Sequence, residues 1–530
     1  MASSKQIKIF HIAAAAVSSE WQKQLSSLFV YQWLPLAYDF RKDEQELQLF
    51  EKDKYNSKYH RALFLLEKDA LILEDKELLE QLPAYQIFYE KNCQLSPEVQ
   101  ALFTLKAAKL FDEQQLENVF SSINEQFSAK QQGYKLSMDH MKFNKDVSLQ
   151  ITKEGHAACQ VKAQLTPDYQ QITTWKMTNL IPKEERTCFY PEIANIQGEA
   201  ILKIKLFFIK ENTNQVIQVI EIAHDRIING DPIYFKLDQQ VYINVSLYAK
   251  GNQGQFTIGQ MHLRRAMADE SVMIPGGGRI RDDEHLGGEV IYYFNPGDLK
   301  PPLAVYFSGY RSAEGFEGRG MMGSMGCPFL LIGDPRLEGG NFYLGSQKFE
   351  QEIVTIILEK LALLGFQKSD LILSGLSMGT FGALYYASDL SPNSVIVGKP
   401  LTNLGSIALN ERINRPTGFP TSLDMLLYNI GFVSEEASSQ LNGRFWEKFK
   451  SGDYRQTTFA IAYMKQDDYD MEAFPMLFEF LKNNFPMTRV LYKGMIGRHN
   501  DNSPAINNWF LKQYKNILVH TFHRNIKKIL

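Results

Sequence analysis

The stretch that most restricts what this chain can become is 370–383, Asp-Leu-Ile-Leu-Ser-Gly-Leu-Ser-Met-Gly-Thr-Phe-Gly-Ala. An apolar run ends at Gly375, Ser377 stands between Gly375 and Gly379, and small residues with helical character follow from Thr380. Strand, sharp turn, helix is the order this dictates, and a serine at the apex of such a turn is a nucleophile elbow. The residue types answer a chemical need. A serine hydroxyl is a poor nucleophile, so it must project where a base can reach it and where a backbone N–H faces the developing oxyanion. Glycines two positions to either side permit the turn and the close approach of helix to strand.

The motif is short and gains weight from the residues C-terminal to it. In α/β-hydrolases the partners come in the chain order serine, acid, histidine. Three histidines follow Ser377: His499, His520 and His523. His499 lies in Gly497-Arg498-His499-Asn500, after the strand-like 489–492 and before a helix opened by Ser503-Pro504, so it is the expected general base. The acid that orients the imidazole belongs in the loop after the preceding strand, 459–464. That loop reads Lys465-Gln466-Asp467-Asp468-Tyr469-Asp470, which offers Asp467 as the acid and Asp468 as its close alternative. The oxyanion hole is expected from the backbone N–H of Met378 and of Tyr310, the latter in the turn after strand 304–308.

A chain of 530 residues exceeds what one core organises, so several domains are expected. In 1–142 short apolar runs (7–13, 62–66, 85–89) alternate with helical ones (75–82, 97–110), which reads as a small α/β, Rossmann-like docking domain. The start of the chain imitates a signal peptide, but its apolar run is short and carries His11, so a first strand is the better reading. From 143 to 265 the period switches to two, with turn formers at 211–214 and 250–252, as in a β-sandwich. The aromatics Trp175, Tyr190, Phe207, Phe208, Tyr234 and Phe235 suggest either core or a carbohydrate-stacking platform. Residues 266–288, with Pro275-Gly276-Gly277-Gly278 and a charged run, read as a linker, and 289–530 as the α/β-hydrolase catalytic domain. Gly318-Arg319-Gly320-Met321-Met322-Gly323 matches G-x-G-x-x-G literally, but it neither directly follows a strand nor opens a helix, so no dinucleotide site is expected.

Composition excludes several functions. A net charge of −3 supplies no electrostatic footprint for nucleic acid. Cys93, Cys159, Cys188 and Cys327 are far apart and form no C-x-x-C pair, so neither a zinc site nor a disulfide framework is indicated. No apolar run approaches the roughly 20 residues a membrane helix needs. A cytoplasmic protein without metal or cofactor is expected. The basic tail 523–528 reads as a solvated helix end.

With these residues placed, the chain resembles the second accessory secretory proteins of the Gram-positive accessory Sec system, which exports serine-rich-repeat glycoprotein adhesins. The resemblance rests on Gly375 to Thr380 with the following Gly382-Ala383-Leu384-Tyr385-Tyr386, on Gly333-Asp334-Pro335-Arg336 through Phe342-Tyr343, and on the acidic loop from Tyr463-Met464 to Asp470. It extends to the chain length and the three-part layout. It implies a cytosolic protein, peripheral at the membrane through its complex, that works with two sister accessory secretory proteins and the accessory SecA motor. It also implies O-acetylation of N-acetylglucosamine on the adhesin, with Ser377 as nucleophile, His499 as base and Asp467 as acid, or Asp468 if the acidic loop aligns one residue differently. The same triad serves a carbohydrate esterase, with water as acceptor. A non-catalytic export scaffold on a hydrolase fold is the reading from a different class.

Overall fold

The computed structural model describes the chain except 1–5, 43–46, 52–53, 113–115, 117, 121–122, 124–130, 132, 177–178, 312, 338, 415–421 and 526–530. Its secondary structure tracks the periodicities of the sequence.

The first sheet is all parallel. Counted along the chain, its strands Ile7–Ala13, Phe29–Pro35, Leu63–Leu66, Ile87–Glu90 and Lys109–Phe111 lie in the order 2-1-3-4-5. Leu63, Phe64, Leu65 and Leu66 are all fully buried, which is why this segment reads as an unbroken apolar run. The helix expected over 97–110 stops at Leu105, because Ala107 turns left-handed (φ 50°) and 109–111 joins the sheet instead.

Two antiparallel sheets follow and pack face to face over one apolar core that includes Leu202, Ile204, Leu206, Phe208, Phe256 and Ile258. Alternation decides the faces: in Ile201–Lys210 the even-numbered residues from Leu202 to Phe208 are inside. The sandwich begins before 143. Strand Gly133–Leu136 pairs with Gln253–Arg265, and Met141–Phe143 pairs with Gln170–Trp175. The aromatic platform is also corrected: Trp175, Tyr190, Phe208 and Phe235 are buried, so they are core, and only Phe207 and Tyr234 reach the surface in part.

The largest sheet has eight strands among the described residues. Counted along the chain they are Gly277–Arg281, Glu289–Asn295, Leu303–Phe307, Phe329–Gly333, Leu371–Leu376, Ser394–Gly398, Thr458–Met464 and Val490–Met495, in spatial order 1-2-4-3-5-6-7-8. Strand 2 runs antiparallel to its neighbours and strands 3 to 8 are parallel. This is the α/β-hydrolase sheet, with helix Gln347–Leu364 packed on one face and Ser503–His520 on the other. The stretch 266–288 is therefore not simply a linker. Gly277–Arg281 is the sheet's edge strand, and Met273 and Ile274 are fully buried in the core beneath it. The tail is not a helix end either: helix Ser503–His520 stops short of it, and Arg524 donates to the Lys300 and Pro301 carbonyls and pairs with Asp298, while 526–528 lie outside the described residues. No helix among the described residues is long and apolar enough to cross a membrane.

Candidate active site

Strand 5, Leu371–Leu376, lies in the middle of the sheet between strands 3 and 6, and Leu371 to Gly375 are buried. It ends in a turn that side chains would block. A Cβ on Gly379 would fall 1.9 Å from the Phe307 carbonyl oxygen, and one on Gly375 would fall 2.3 Å from the carbonyl of Gly379. Between them Ser377 adopts φ 51°, ψ −120°, a strained conformation for an L-residue, with its N–H held by the Gly398 carbonyl at 2.9 Å. Helix Met378–Tyr385 starts at once, so the Met378 N–H belongs to the first turn, whose donors have no carbonyl within the helix to accept them.

The three residues named by chain order converge at the carboxyl ends of strands 5, 7 and 8. Ser377 Oγ is 2.8 Å from His499 Nε2. His499 Nδ1 is 2.9 Å from Asp467 Oδ2 and 3.1 Å from Oδ1. Both partners are nearly sealed, His499 at 2 % exposure and Asp467 at 7 %. Asp467 Oδ1 also accepts the N–H of Tyr469 at 2.9 Å, which fixes the carboxylate before the imidazole meets it. The neighbouring Asp468 does something else: its Oδ1 accepts the backbone N–H of His499 at 3.0 Å. One carboxylate faces the ring and the other holds the loop that carries it. Asp470 braces the far side of the turn, accepting from Thr402 N, Asn403 N and Asn403 Nδ2 at 2.8 to 2.9 Å.

Tyr310, in the turn after strand 3, is 54 % exposed. It follows Gly309, whose backbone lies so near the elbow that a Cβ would sit 3.1 Å from the Leu376 carbonyl. The Gly309 N–H donates to Glu317 Oε2 at 2.5 Å. On the other side of this turn the Tyr343 hydroxyl donates to the Ser308 carbonyl at 2.5 Å.

Two residues at the site carry no sequence signal. Glu317 is one. Lys399 is the other: it follows strand 6, is 7 % exposed, takes a left-handed φ of 62°, and donates to Ser503 Oγ at 3.2 Å. Burial lowers its ammonium pKa, and the charges of Asp467 and Glu317 oppose that shift. A lysine before a proline on a loop is an ordinary pattern, so only the fold brings it here. Among the described residues no group of three or more His, Cys, Asp or Glu side chains is disposed to hold a metal ion.

The arrangement is a serine hydroxyl, an imidazole and a carboxylate in one hydrogen-bonded line. A family model described as an accessory Sec system GspB-transporter matches residues 18–524. Over 391 residues the chain is 42 % identical to the second accessory Sec system protein of Staphylococcus aureus, covering 74 % of this chain and 73 % of that one. Over 464 residues it is 37 % identical to the counterpart in Streptococcus gordonii, covering 86 % and 89 %. Among solved structures, a chain of the Glycosylation Associate Protein (Gap123) complex from Streptococcus agalactiae matches with a TM-score of 0.84 at 31 % identity, covering 98 % of this chain and 99 % of that one.

Proposed function

The chain belongs to the accessory Sec system GspB-transporter family, and from that premise we propose that it is a serine O-acetyltransferase of this export system, acting on N-acetylglucosamine of serine-rich-repeat glycoprotein adhesins. The observation that carries the reading is the continuous relay from Asp467 through His499 to Ser377 Oγ on a strained elbow.

Each residue then has one task. His499 Nε2 takes the proton as Ser377 Oγ attacks the acyl carbonyl carbon, and Asp467 holds the imidazolium that results. The negative charge that collects on the carbonyl oxygen is met by the N–H groups of Met378 and Tyr310. Collapse of the tetrahedral intermediate expels the donor's leaving group, which takes the proton back from His499, and leaves acetyl-Ser377. A sugar hydroxyl, its proton drawn off by His499, attacks the ester, and Ser377 is restored with its proton. Water in place of the sugar would make the same site an esterase, so the acceptor decides between the two.

A second reading stands beside the first: the chain is also an export scaffold. It is favoured by the likeness to a chain of a multiprotein complex over 98 % of this chain, which includes the first sheet and the sandwich. On this reading its partners are the two sister accessory secretory proteins, the accessory SecA motor and the adhesin, at the cytoplasmic face of the membrane.

The test is the glycan mass profile of an adhesin fragment co-expressed with its glycosyltransferases and either the wild type or Ser377→Ala. Acetyl units that appear only with the wild type are the expected result. Identical profiles from two folded proteins with their partners present would remove the acetyltransferase and leave the scaffold. Free acetate from acetylated glycan without any modified acceptor would mark an esterase.

A further inference from the structure

The turn after strand 3 carries Tyr310, yet much of what holds it comes from outside the hydrolase sheet. Glu314 is 4 % exposed, and its carboxylate is gripped by His262 Nδ1 and Arg264 Nε, both on sandwich strand Gln253–Arg265. Two residues further on, the Phe316 main chain is read at both ends by one side chain, that of Gln131, two residues ahead of the sandwich strand Gly133–Leu136. Gln131 Oε1 accepts the Phe316 N–H and Gln131 Nε2 donates to the Phe316 carbonyl at 3.2 Å. Gly133, on the strand that follows Gln131, lies so close that a Cβ there would fall 2.8 Å from Glu314 Cβ. The next residue of the turn, Glu317, faces inward. Its N–H donates to Ser308 Oγ at 3.4 Å and its Oε2 accepts the Gly309 N–H at 2.5 Å, one residue before Tyr310.

The grip is built from charge and sealed from water. His262 is fully buried between Glu314 and Glu192, with Nε2 at 3.0 Å from Glu192 Oε1. Arg264 spans from Glu314 to Glu289 of strand 2, and Arg279 of strand 1 reaches Glu289 Oε2 at 2.8 Å. Hydrogen bonds between buried ions are strong and directional, so this seam fixes position and not merely proximity.

We propose that the β-sandwich is part of the active site: through Gln131, His262 and Arg264 it holds Glu314 and Phe316, and through Glu317 and Gly309 it positions the Tyr310 N–H over Ser377. These are positioning residues, and the inference rests on reading Ser377 as the nucleophile. A donor displaced by a fraction of an ångström stabilises an oxyanion poorly, while the Ser377–His499–Asp467 relay, built on other loops, stays intact. The oxyanion contribution and the relay are thus separable by experiment.

The full-length protein is treated with a fluorophosphonate, whose P=O oxygen occupies the oxyanion position when Ser377 is phosphonylated, and the rate is followed by intact mass from pH 5 to 9. Gln131→Met removes only the two main-chain contacts to Phe316. It is expected to lower the plateau rate by roughly tenfold or more, a part of the ~100-fold or larger loss for a whole oxyanion donor. The pH midpoint set by the base should stay in place; the unfolding midpoint should fall, because the buried Phe316 N–H and carbonyl lose their partner, so the rate is scored on folded protein only. Glu314→Gln tests the charged grip and is scored on the folded fraction only. Rates equal to wild type in folded Gln131→Met overturn the inference while leaving the nucleophile standing. A shift of the pH midpoint instead of the plateau also overturns it, because the sandwich would then be acting on the base. If the wild type is labelled no faster than Ser377→Ala, the nucleophile reading fails and the inference falls with it.

Discussion

The all-parallel first sheet and the mixed hydrolase sheet each carry a buried histidine beside a carboxylate, and only the second sets a serine hydroxyl against the imidazole. In the first sheet His11 is fully buried in strand 7–13, with Nε2 3.3 Å from Glu67 Oε1 and Nδ1 3.0 Å from the Tyr31 hydroxyl. In the hydrolase sheet His499 has Asp467 on one nitrogen and Ser377 on the other. Each imidazole lies against one carboxylate, but His11 faces Glu67 through Nε2 without hydrogen-bond geometry, where His499 is bonded to Asp467 through Nδ1; the third group differs as well. Tyr31 lies on a regular strand, its hydroxyl also accepts the Val17 N–H at 3.1 Å, and burial raises its pKa, so it stays a neutral phenol that ties loops together. Ser377 stands on a turn with φ 51° that no regular strand supplies. An oriented histidine is therefore weak evidence of catalysis by itself, and backbone strain beneath the third group is what separates the two sites.

The largest effect should come from breaking that third contact. Ser377→Ala or His499→Gln is expected to lower the acyl-transfer or phosphonylation rate by about 10⁵- to 10⁶-fold, as when members of a serine triad are removed singly. His11→Gln in the same assay should leave the rate within about twofold, and cost about 1–3 kcal/mol of stability because Glu67 and Tyr31 lose a buried partner. A rate loss of many orders in folded His11→Gln would mean that the first sheet takes part in the chemistry.

The next effect sharpens the comparison inside the hydrolase loop. Asp467→Asn should cost about 10⁴-fold by stabilising the wrong tautomer of His499. Asp468→Asn, which loosens one main-chain contact while keeping an acceptor in place, should cost only about tenfold. Equal losses in single-turnover kinetics would show that the two carboxylates share the role.

How much could be read from the chain depends on how local each constraint is. The elbow was legible because a strained turn between strand and helix restricts residue types within five positions, and His499 because chain order and a strand–loop–helix pattern leave it as the histidine in the right place. The sandwich showed in its period of two. Asp467 and Asp468 could not be separated, since adjacent residues of a turn point to opposite sides and only three-dimensional structure says which side holds the ring. The edge strand Gly277–Arg281 was hidden because Ile280 is its one buried residue, and its pairing with Glu289–Asn295 supplies what its own composition lacks. His262, Arg264 and Glu314 were invisible for the same reason. Charges 50 residues apart have no common period, and burial alone makes them a unit.

His262 extends the comparison to a third buried histidine, here between two carboxylates with no nucleophile at all. Burial and the charge of Arg264 would lower its pKa; the charge of Glu314 and the hydrogen bonds the ring donates to Glu192 and Glu314 outweigh them and raise it to about 9. The folded protein thus binds this proton more tightly than the unfolded chain, whose histidine titrates near 6.5. The stabilisation is fully present below that ordinary value and is lost as pH rises through about 9. It is of order 3 kcal/mol, from the size of the shift. Urea midpoints measured from pH 6 to 10 should fall across that window, and His262→Gln should flatten the fall while lowering the plateau. An unchanged slope in that variant would place the alkaline loss elsewhere.

The smallest effect tests whether the first sheet's couple is purely structural. Tyr31→Phe removes the hydroxyl that joins His11 Nδ1 to the Val17 N–H, and changes no other atom. The loss of one partly buried network should cost about 1 kcal/mol in the urea midpoint, within the usual range for a hydrogen bond, and the Ser377 labelling rate should not move. The pairing of strands 7–13 and 29–35 runs through seven register positions, from Ile7 with Phe29 to Ala13 with Pro35, so the sheet itself survives the change. Amide exchange should therefore rise at Val17 and the turn that follows it, and stay slow in both strands. Exchange that spreads along the strands would mean that the hydroxyl anchors the sheet. A shift in labelling rate would mean that the two histidine sites, one facing a phenol and one facing the elbow serine, are energetically linked.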